Sequence, residues 1–542
     1  MRRRYDTSLL IIGLLIPISI FPNLSVAIST NELKQGPFID KIVYDVIANQ
    51  DQRILELQNG EIEMDTSFFD PVYLPTIEAD SEIDVHTTLR NGYGHLTINC
   101  QKYPLNISGL RRAMAYAIDK TELGLDYFDG FSQDHDSLVP YINDFCIEDD
   151  LDWHYYAPQP AIGNAILDDL GFTINSTTGF RQAPNGSAFD VVIEYSSSGY
   201  AWPLAQSGVD ALTSLHIDAK TQAVSITQTL SKLDNHEDYD IVFYGVNFPD
   251  SSVEWLADEY WSENADVFGK NPTNFRNATY DSWREQLLNG TSYEEVYEAA
   301  AEMQKILHYN VPRIVIYQNI YLQAYRNDQF TGHVSDIYEG IAGSWTMRNI
   351  HQIEGGYGGT VDVAISQEPD SFNVFVTNSQ YSKLILDKLY SSLYDRDPSG
   401  NPIGDLANAL VIETHEDNVA IPIGHTQFTI DIIQNATWTD GVPLTAYDVA
   451  FTYNYMMNGN ITDKFDSESV YGVWAPTPYQ VVFEYSTESY WHFSDFAYTW
   501  IIPKHIFNNE TGIGYDGWTT WNPALDPDDP LVTSGPFMLT DL

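Results

Sequence analysis

The stretch from residue 427 to residue 451 constrains the fold more than any other part of the chain. Residues 427–433 alternate between apolar and polar side chains and predict a strand. The dipeptide at 440–441, Asp-Gly, is a strong turn signal. Thr445 with Asp448 three residues later comes close to a capping box, and an apolar-periodic run follows. The stretch therefore predicts a strand, a tight turn and a capped helix in direct succession.

The charge balance narrows the choice of partner. Asp and Glu number 76 against 26 Lys and Arg, which gives a formal net charge of −50. A surface with this much negative charge repels the phosphate backbone of nucleic acids, which argues against nucleic acid as a partner. The acids are spread along the whole chain, which favours solubility in an exposed or salty setting over attraction of a cationic ligand.

The N-terminus carries an export signal. Three arginines at 2–4 precede the apolar run 9–20, and residues 25–27 are small, as at a cleavage site. This pattern predicts a signal peptide over 1–27. An uncleaved membrane anchor is the alternative, because the run is also long enough to span a bilayer. A secreted or cell-surface location outside the cytoplasmic membrane follows from either.

Two further features bear on export. A disulfide between Cys100 and Cys146 is one alternative for the two cysteines, and two buried free thiols are the other. Nine N-x-Ser/Thr sequons support an exported and glycosylated chain. They begin at Asn23, Asn106, Asn175, Asn185, Asn277, Asn289, Asn435, Asn460 and Asn509.

Residues 438–449 resemble the signature of the family 5 extracellular solute-binding proteins, the dipeptide-, oligopeptide- and nickel-binding components of ABC importers. They match the pattern W-[ST]-D-G-x-P-[LF]-T-A-x-D-V at nearly every defined position. The resemblance implies a two-lobed α/β fold of the periplasmic-binding-protein type (class II), with mixed sheets flanked by helices and a hinge. In that fold Trp438 is expected in the core and Asp440 in a turn.

Other family-like segments occur in an unexpected order. Residues 36–65 resemble the middle of the family, whereas the segment that begins at Val361 resembles its N-terminal strand. We therefore predict a second lobe plus return segment at 34–350, a Gly-rich linker at 351–360 and a first lobe at 361–542. A circularly permuted member is one account of this order, and a tandem cut short after residue 542 is the other.

Signatures of catalysis and metal binding are weak. The chain has no H-E-x-x-H, C-x-x-C, G-x-S-x-G or P-loop motif. Residues 512–517 fit G-x-G-x-x-G, but neither a strand before them nor a helix start after them is indicated. The acidic run 526–530 fits a solvated turn better than a calcium loop. The sequence therefore predicts no catalytic residue, no cofactor and no metal site.

A ligand-binding cleft needs aromatic walls and a few polar groups, so we chose candidate binding residues of these two kinds. The resemblance places the loop at 244–255 beside the cleft. In peptide-binding relatives an Asp of this loop pairs with the α-ammonium of the ligand. Asn247 stands at that position here, so Asp250 substitutes for it or the ligand is neutral. The candidates are Tyr244, Asn247, Phe248, Asp250 and Trp255, with Tyr381 and Ser382 as a second group.

The sequence thus predicts a solute-binding protein outside the cell membrane that captures a small ligand, expected to be a peptide, by closure of two lobes. An ABC transporter permease is the expected partner. A carbohydrate-binding or carbohydrate-active surface protein is the alternative, since the chain is rich in Trp, Tyr and acids. A structural or sensory surface protein with the same fold is a third hypothesis.

Overall fold

The structure is a computed structural model that describes residues 36–541, apart from 197–200, 237, 249, 378, 463, 466 and 522–530. The predicted signal peptide or anchor at 1–27 lies outside the described residues. Within the described part of the chain, no helix is both long enough and apolar enough to cross a membrane.

The strands, numbered in chain order, are β1 Lys41–Val46, β2 Met64–Asp65, β3 Ile83–Leu89, β4 Gly92–Ile98, β5 Ser132–Gln133, β6 Thr173–Ile174, β7 Arg181–Gln182, β8 Asp190–Ser196, β9 Asp218–Val224, β10 Ile241–Asn247, β11 Arg313–Arg326, β12 Phe330–Thr331, β13 His351–Gln352, β14 Thr360–Ile365, β15 Tyr394–Arg396, β16 Pro402–Gly404, β17 Ala407–Thr414, β18 Thr426–Ile432, β19 Val470–Thr477 and β20 Gln480–Tyr485.

The helices are α1 Gln50–Asn59, α2 Leu74–Ile77, α3 Ser108–Ala115, α4 Lys120–Phe128, α5 Pro160–Asp169, α6 Ala201–Ser214, α7 Ile226–Asp234, α8 Trp255–Glu259, α9 Ala278–Asn289, α10 Tyr293–Asn310, α11 Ser344–Asn349, α12 Gln380–Leu389, α13 Ala446–Asn458, α14 His492–Ala497 and α15 Lys504–Phe507. This mixture confirms the predicted α/β class.

A large mixed sheet runs through the molecule in the order β1-β14-β2-β11-β4-β10-β8-β9, and β3 and β5 also pair with β11. A separate antiparallel sheet has the order β17-β18-β20-β19. Strand β1 pairs with β14 in parallel, from Lys41 opposite Thr360 to Val46 opposite Ile365. The N-terminal strand and the segment after the Gly-rich linker therefore lie side by side.

Strand β11 connects the two halves of the large sheet. Its first residues, from Arg313 to Tyr317, pair with β4, and its last, from Ile320 to Arg326, pair with β3. We call residues 36–89 and 320–541 lobe 1, and residues 91–318 lobe 2. The chain crosses between these lobes at Arg90 and near Asn319.

The two crossings lie next to each other and form the hinge. The Arg90 backbone N–H donates to the Asn319 carbonyl at 3.0 Å, and Arg90 Nη1 donates to Asn319 Oδ1 at 3.2 Å. Gln318 Nε2 donates to the Arg90 carbonyl at 2.8 Å. Two adjacent crossing strands allow one lobe to rotate against the other, the arrangement used in hinge closure around ligands.

Each lobe has its own apolar core. Buried residues between Phe372 and Phe507 form the largest core of lobe 1, and buried residues between Leu96 and Ile316 form that of lobe 2. Trp491 of lobe 1 is an exception, since it packs into a second core of lobe 2 and donates from Nε1 to the Leu287 carbonyl at 2.7 Å. The segment around Trp491 therefore joins the lobes at a point remote in sequence from the hinge.

The stretch predicted as strand, turn and capped helix folds in that way. Asp448 Oδ2 accepts from the Thr445 backbone N–H at 2.9 Å, and Asp448 Oδ1 accepts from the Lys504 N–H at 3.1 Å. Asp448 is buried, so its carboxylate anchors the start of α13 to α15. Trp438 is 1% exposed and lies in the core of lobe 1, as expected.

Candidate functional site

The loop after β10 lies where the two lobes meet. Strand β10 pairs with β4 down to Asn247 opposite Gly92, so the loop leaves the sheet beside the hinge. Asn91 fixes the loop, because its Nδ2 donates to the carbonyls of Phe248 at 2.8 Å and Asp250 at 3.2 Å. The sheet thus presents residues 247–248 and 250–255 at the boundary of lobe 2.

The side-chain oxygen of Asn247 accepts a hydrogen bond from the hinge residue Arg90. Arg90 Nε donates to Asn247 Oδ1 at 2.6 Å, and Arg90 Nη2 donates to the Val246 carbonyl at 3.1 Å. An amide oxygen engaged by a guanidinium in this way is poorly placed to receive an ammonium group. Asn247 therefore positions the loop, and the nearest carboxylate along it is that of Asp250.

Asp250 faces an arginine from the other lobe. Arg396 Nη2, at the end of β15 in lobe 1, lies 3.4 Å from Asp250 Oδ2. The Arg396 guanidinium lies over the Tyr498 ring, 3.5 Å from its centroid, and 5.7 Å from the centroid of Tyr338. The two side chains are about one-quarter and one-third exposed, so solvent reaches this ion pair.

A second contact joins the lobes beside this pair. Ser251 Oγ and the Tyr338 hydroxyl are 2.7 Å apart, and Asn143 Nδ2 donates to the Ser251 carbonyl at 3.2 Å. Burial raises the pKa of Tyr498 to about 12 and also raises the pKa of Tyr338. Both phenols therefore stay neutral near pH 7 and serve as hydrogen-bonding and stacking groups.

Phe248 and Trp255 form an aromatic wall on the lobe 2 side. Their rings are 4.9 Å apart between centroids, and the Phe248 ring is 5.8 Å from that of Tyr93. Within the described residues, nothing hydrogen-bonds to the buried Trp255 indole N–H. Burying an indole N–H without a partner costs free energy.

Tyr244 lies on the strand and contacts a different group. Arg313 Nη2 donates to its hydroxyl at 3.2 Å, and its ring lies 4.3 Å from that of His95. Arg313 in turn pairs with Glu259 at 2.5 Å. Tyr244 thus belongs to a hydrogen-bonded network within lobe 2, and the structure does not join it to Asp250.

The second predicted group lies in lobe 1. The Tyr381 hydroxyl is 2.7 Å from Ser366 Oγ, and its ring packs beside a small buried cluster at the end of β14. Ser382 is buried and donates to Asp370 Oδ1 at 2.7 Å. Its hydroxyl also accepts from the Asp370 N–H, so Ser382 holds the turn at 370–371.

Among the described residues, Cys100 and Cys146 are free thiols. Of the two alternatives, the structure therefore has the two thiols and not the disulfide. Cys100 and Cys146 are half-buried against the same apolar core in lobe 2. Burial raises the pKa of each thiol, that of Cys146 to about 12.

No sequence motif marks Tyr338, Arg396 and Tyr498, which also lie at this interlobe contact. Arg396 lies 146 residues from its partner Asp250 along the chain. One signal was available: Arg396 is a rare cation in an acidic chain and directly precedes the turn at 397–400. A lone arginine before a turn does not by itself reveal which carboxylate it meets.

The fold and this interlobe site define a two-lobed binding protein. The family model of the bacterial extracellular solute-binding proteins, family 5, matches residues 22–267 and 416–542. The chain belongs to this family. Its members are substrate-binding components found outside the cytoplasm.

Individual relatives match smaller parts of the chain. The dipeptide-binding protein of Escherichia coli K12 is 25% identical over 135 residues, which is 25% of this chain and 24% of that protein. The oligopeptide-binding protein AppA of Bacillus subtilis, solved with a nonapeptide, has a TM-score of 0.48 at 16% identity over 57% of this chain and 60% of its own. A periplasmic oligopeptide-binding protein of Thermotoga maritima gives 0.47 at 20% identity over 56% and 61%. These matches span less than two thirds of each relative.

Proposed function

We propose that this chain is the peptide-binding component of an ABC importer and acts without covalent chemistry. The observation that carries the proposal is the pair of Asp250 and Arg396, which face each other from opposite lobes. One carboxylate and one guanidinium at the same interlobe site match the two charged ends of a peptide.

The exchange of partners explains how a peptide is held. Asp250 receives the α-ammonium of the peptide, and Arg396 receives its α-carboxylate, so one protein ion pair is replaced by two ligand pairs. Arg396 suits this role because its planar guanidinium binds carboxylates through two parallel hydrogen bonds. Tyr498 keeps the guanidinium in position through its ring face.

The residues around the pair supply the rest of the cleft. Phe248 and Trp255 offer an apolar wall for a ligand side chain, and Tyr338 with Ser251 offers hydroxyl groups on either lobe. The hinge at Arg90 and Asn319 allows the lobes to close over the ligand. Tyr381 is proposed as a more distant contact on lobe 1.

Blocked peptides test the assignment of the two ends. The probes are alanine peptides of two to five residues, each with free ends, with an acetylated N-terminus or with an amidated C-terminus. For the unmodified protein, we expect either block to weaken binding in titration calorimetry at least tenfold. Asp250→Asn is expected to bind free and acetylated peptides equally, and Arg396→Gln to bind free and amidated peptides equally.

The crossed design separates a charge contact from general damage. Asp266→Asn is the matched control, because Asp266 pairs with Arg276 at 2.7 Å on the surface of lobe 2. This control should retain the full sensitivity to both blocks. Equal binding of free and blocked peptides by the unmodified protein would contradict the proposed roles.

The proposal extends to location and partner. We infer that residues 1–27 export the chain, as a cleaved signal peptide or as an anchor, and that loaded protein docks on an ABC permease. Exposed sequon residues Asn106, Asn185 and Asn289 support the proposal of glycosylation. The parallel pairing of β1 with β14 supports the proposal that 34–350 and 361–542 complete one another as two parts of a single family unit.

A further inference from the structure

A second group of ionisable side chains is buried in lobe 2, away from the Asp250–Arg396 pair in sequence. It lies in the connection between β5 and α5 and includes a short 3₁₀ helix at Glu148–Asp150. We call it the 135–154 cluster. Its members are His135, Asp136, Cys146, Glu148 and His154.

Glu148 is the centre of the 135–154 cluster. It is 2% exposed and accepts from the backbone N–H of Asp136 at 2.9 Å and of Ser137 at 2.6 Å. The Tyr156 hydroxyl donates to it at 2.5 Å. These three hydrogen bonds hold the buried Glu148 carboxyl group in a fixed orientation.

His135 faces an acceptor with each of its ring nitrogens. Nε2 lies 2.9 Å from the Val139 carbonyl oxygen, so Nε2 carries the proton and donates it. Nδ1 then presents a lone pair 3.2 Å from Glu148 Oε2. In the part of the chain that the structure describes, no group hydrogen-bonds to Nδ1, although His135 is fully buried.

The position of His135 Nδ1 beside the Glu148 carboxyl group favours a cation bound between them. A neutral ring held between two acceptors leaves one lone pair pointing at an oxygen, and that contact is repulsive. A metal ion between Nδ1 and Glu148 converts the repulsion into two coordinate bonds.

Cys146 supplies a third ligand at the same place. One ligand atom from each of His135, Cys146 and Glu148 lies within 4.8 Å of the other two. Zinc binds N, O and S ligands at about 2.0–2.3 Å, so tetrahedral ligand atoms are roughly 3.3–3.8 Å apart. We propose that His135 Nδ1, Cys146 Sγ and Glu148 Oε2 bind one Zn²⁺ ion in lobe 2, with water as the fourth ligand.

The charges of the surrounding groups favour a divalent cation. Asp136 pairs with the buried Lys120 ammonium, so the two buried carboxylates of the cluster share a single buried ammonium. A zinc ion with the Cys146 thiolate balances the charges of Lys120, Asp136 and Glu148, while the partly exposed His154 ring lies 3.3 Å from the other Glu148 oxygen, Oε1. Asp136 Oδ2 also accepts from the Tyr155 N–H at 2.8 Å and lies 3.2 Å from His154 Nδ1, which holds the loop around the site.

The zinc ion would fix the loop that supports the interlobe site. Between the ligands, the Tyr141 N–H donates to Gln318 Oε1 at the hinge at 3.1 Å. Asn143, from the same loop, donates to the carbonyl of Ser251. The site is therefore structural: it ties residues 135–148 into one rigid support beneath the loop that carries Asp250.

Metal titration of the purified full chain tests the proposal. After dialysis against a chelator, the chain is titrated with Zn²⁺ alone, and with Co²⁺ as a spectroscopic substitute. We expect one equivalent of Zn²⁺ and a higher thermal midpoint. Bound Co²⁺ should give a thiolate-to-cobalt charge-transfer band and the strong visible absorption of tetrahedral Co²⁺.

Variants locate the site. Cys100→Ser is the matched control, since Cys100 is the other half-buried thiol on the same apolar core. It should keep the stoichiometry and the charge-transfer band. Cys146→Ser should lose the band, and His135→Gln should bind Zn²⁺ at least tenfold more weakly, with circular dichroism verifying that both are folded.

Two results would overturn the proposal. One is the lack of stoichiometric zinc binding by the folded, unmodified chain, which needs no variant. The other is a thiolate band that persists in Cys146→Ser and disappears in Cys100→Ser. Neither result depends on peptide binding, so the zinc site and the proposed transport function are tested separately.

Discussion

Asp250 and Arg396 lie 3.4 Å apart although one belongs to lobe 2 and the other to lobe 1. The pair links lobe 1 to lobe 2 at the loop that follows β10. Its partial exposure distinguishes it from a buried structural ion pair, because water or a ligand can reach either partner.

Loss of the Asp250–Arg396 pair is expected to have little effect on the stability of the ligand-free protein. Partly exposed ion pairs contribute about 0–1 kcal/mol, so Arg396→Gln should lower the free energy of unfolding by no more than about 1 kcal/mol. Urea denaturation without ligand measures this, with Arg276→Gln as a surface control. A much larger loss would give Arg396 a mainly structural role and weaken its assignment to the ligand.

Arg90 is expected to contribute more, because it holds the hinge and the loop together. Its guanidinium donates to Asn247 Oδ1, Asn319 Oδ1 and the Val246 carbonyl. Arg90→Ala should lower the free energy of unfolding by about 1–3 kcal/mol, since several hydrogen bonds are lost together. Urea denaturation measures the change, and a loss no larger than that of Arg276→Ala would show that the hinge does not depend on Arg90.

Asp448 should be one of the more sensitive polar positions of lobe 1. Its buried carboxylate accepts from the backbone N–H groups of Thr445 and Lys504. Asp448→Ala leaves both donors without this acceptor and should cost about 2–3 kcal/mol. Asp448→Asn keeps one acceptor oxygen and should cost less. Thermal unfolding of the two variants gives the order, and equal losses would contradict the capping role.

His333 should make the stability of lobe 1 depend on pH. Burial lowers the pKa of His333 to about 4, and among the described residues nothing hydrogen-bonds to its Nε2. The negative charge of Asp84 partly opposes this lowering of the His333 pKa. The centroid of the Tyr325 ring lies 4.0 Å from that of the His333 ring. Since the unfolded side chain titrates near 6.5, the folded state binds fewer protons between pH 6.5 and 4. Stability is therefore lost as the pH falls through this range.

His333→Phe removes the titrating group and keeps a ring against Tyr325. The unmodified protein should lose up to about 3 kcal/mol relative to this variant between pH 7 and pH 4. Urea denaturation at several pH values measures the difference between the two proteins. A difference that stays constant over this range would show that His333 charges as easily in the folded state as in the unfolded state.

Local chemistry made the α13 region predictable from sequence. The Asp-Gly turn and the Thr445–Asp448 cap each depend on residues within a short stretch, whereas the core position of Trp438 was expected from the family fold. The long family motif at the same place also identified the family. Such features are encoded locally, so the sequence alone was enough to predict them.

The interlobe site could be predicted only in part. The sequence indicated the loop that carries Asp250, but the partner Arg396 reaches it only because β11 brings the two lobes together. The sequence predicts a ligand contact for Asn247, whereas the contact of Asn247 with Arg90 depends on a hinge formed by strands far apart in sequence. The members of the 135–154 cluster have no regular spacing in the sequence, so no motif marks them.

A thermal-unfolding screen tests the central claim most directly. The probes are defined peptides of two to five residues, with linear oligosaccharides of similar size as the comparison set. Binding to the folded state alone stabilises by about 2.7 kcal/mol at one hundred times the dissociation constant, so the midpoint should rise with peptide concentration. We expect this rise with peptides and no change with oligosaccharides. No shift with any peptide at millimolar concentration, or a shift with oligosaccharides only, would contradict the account.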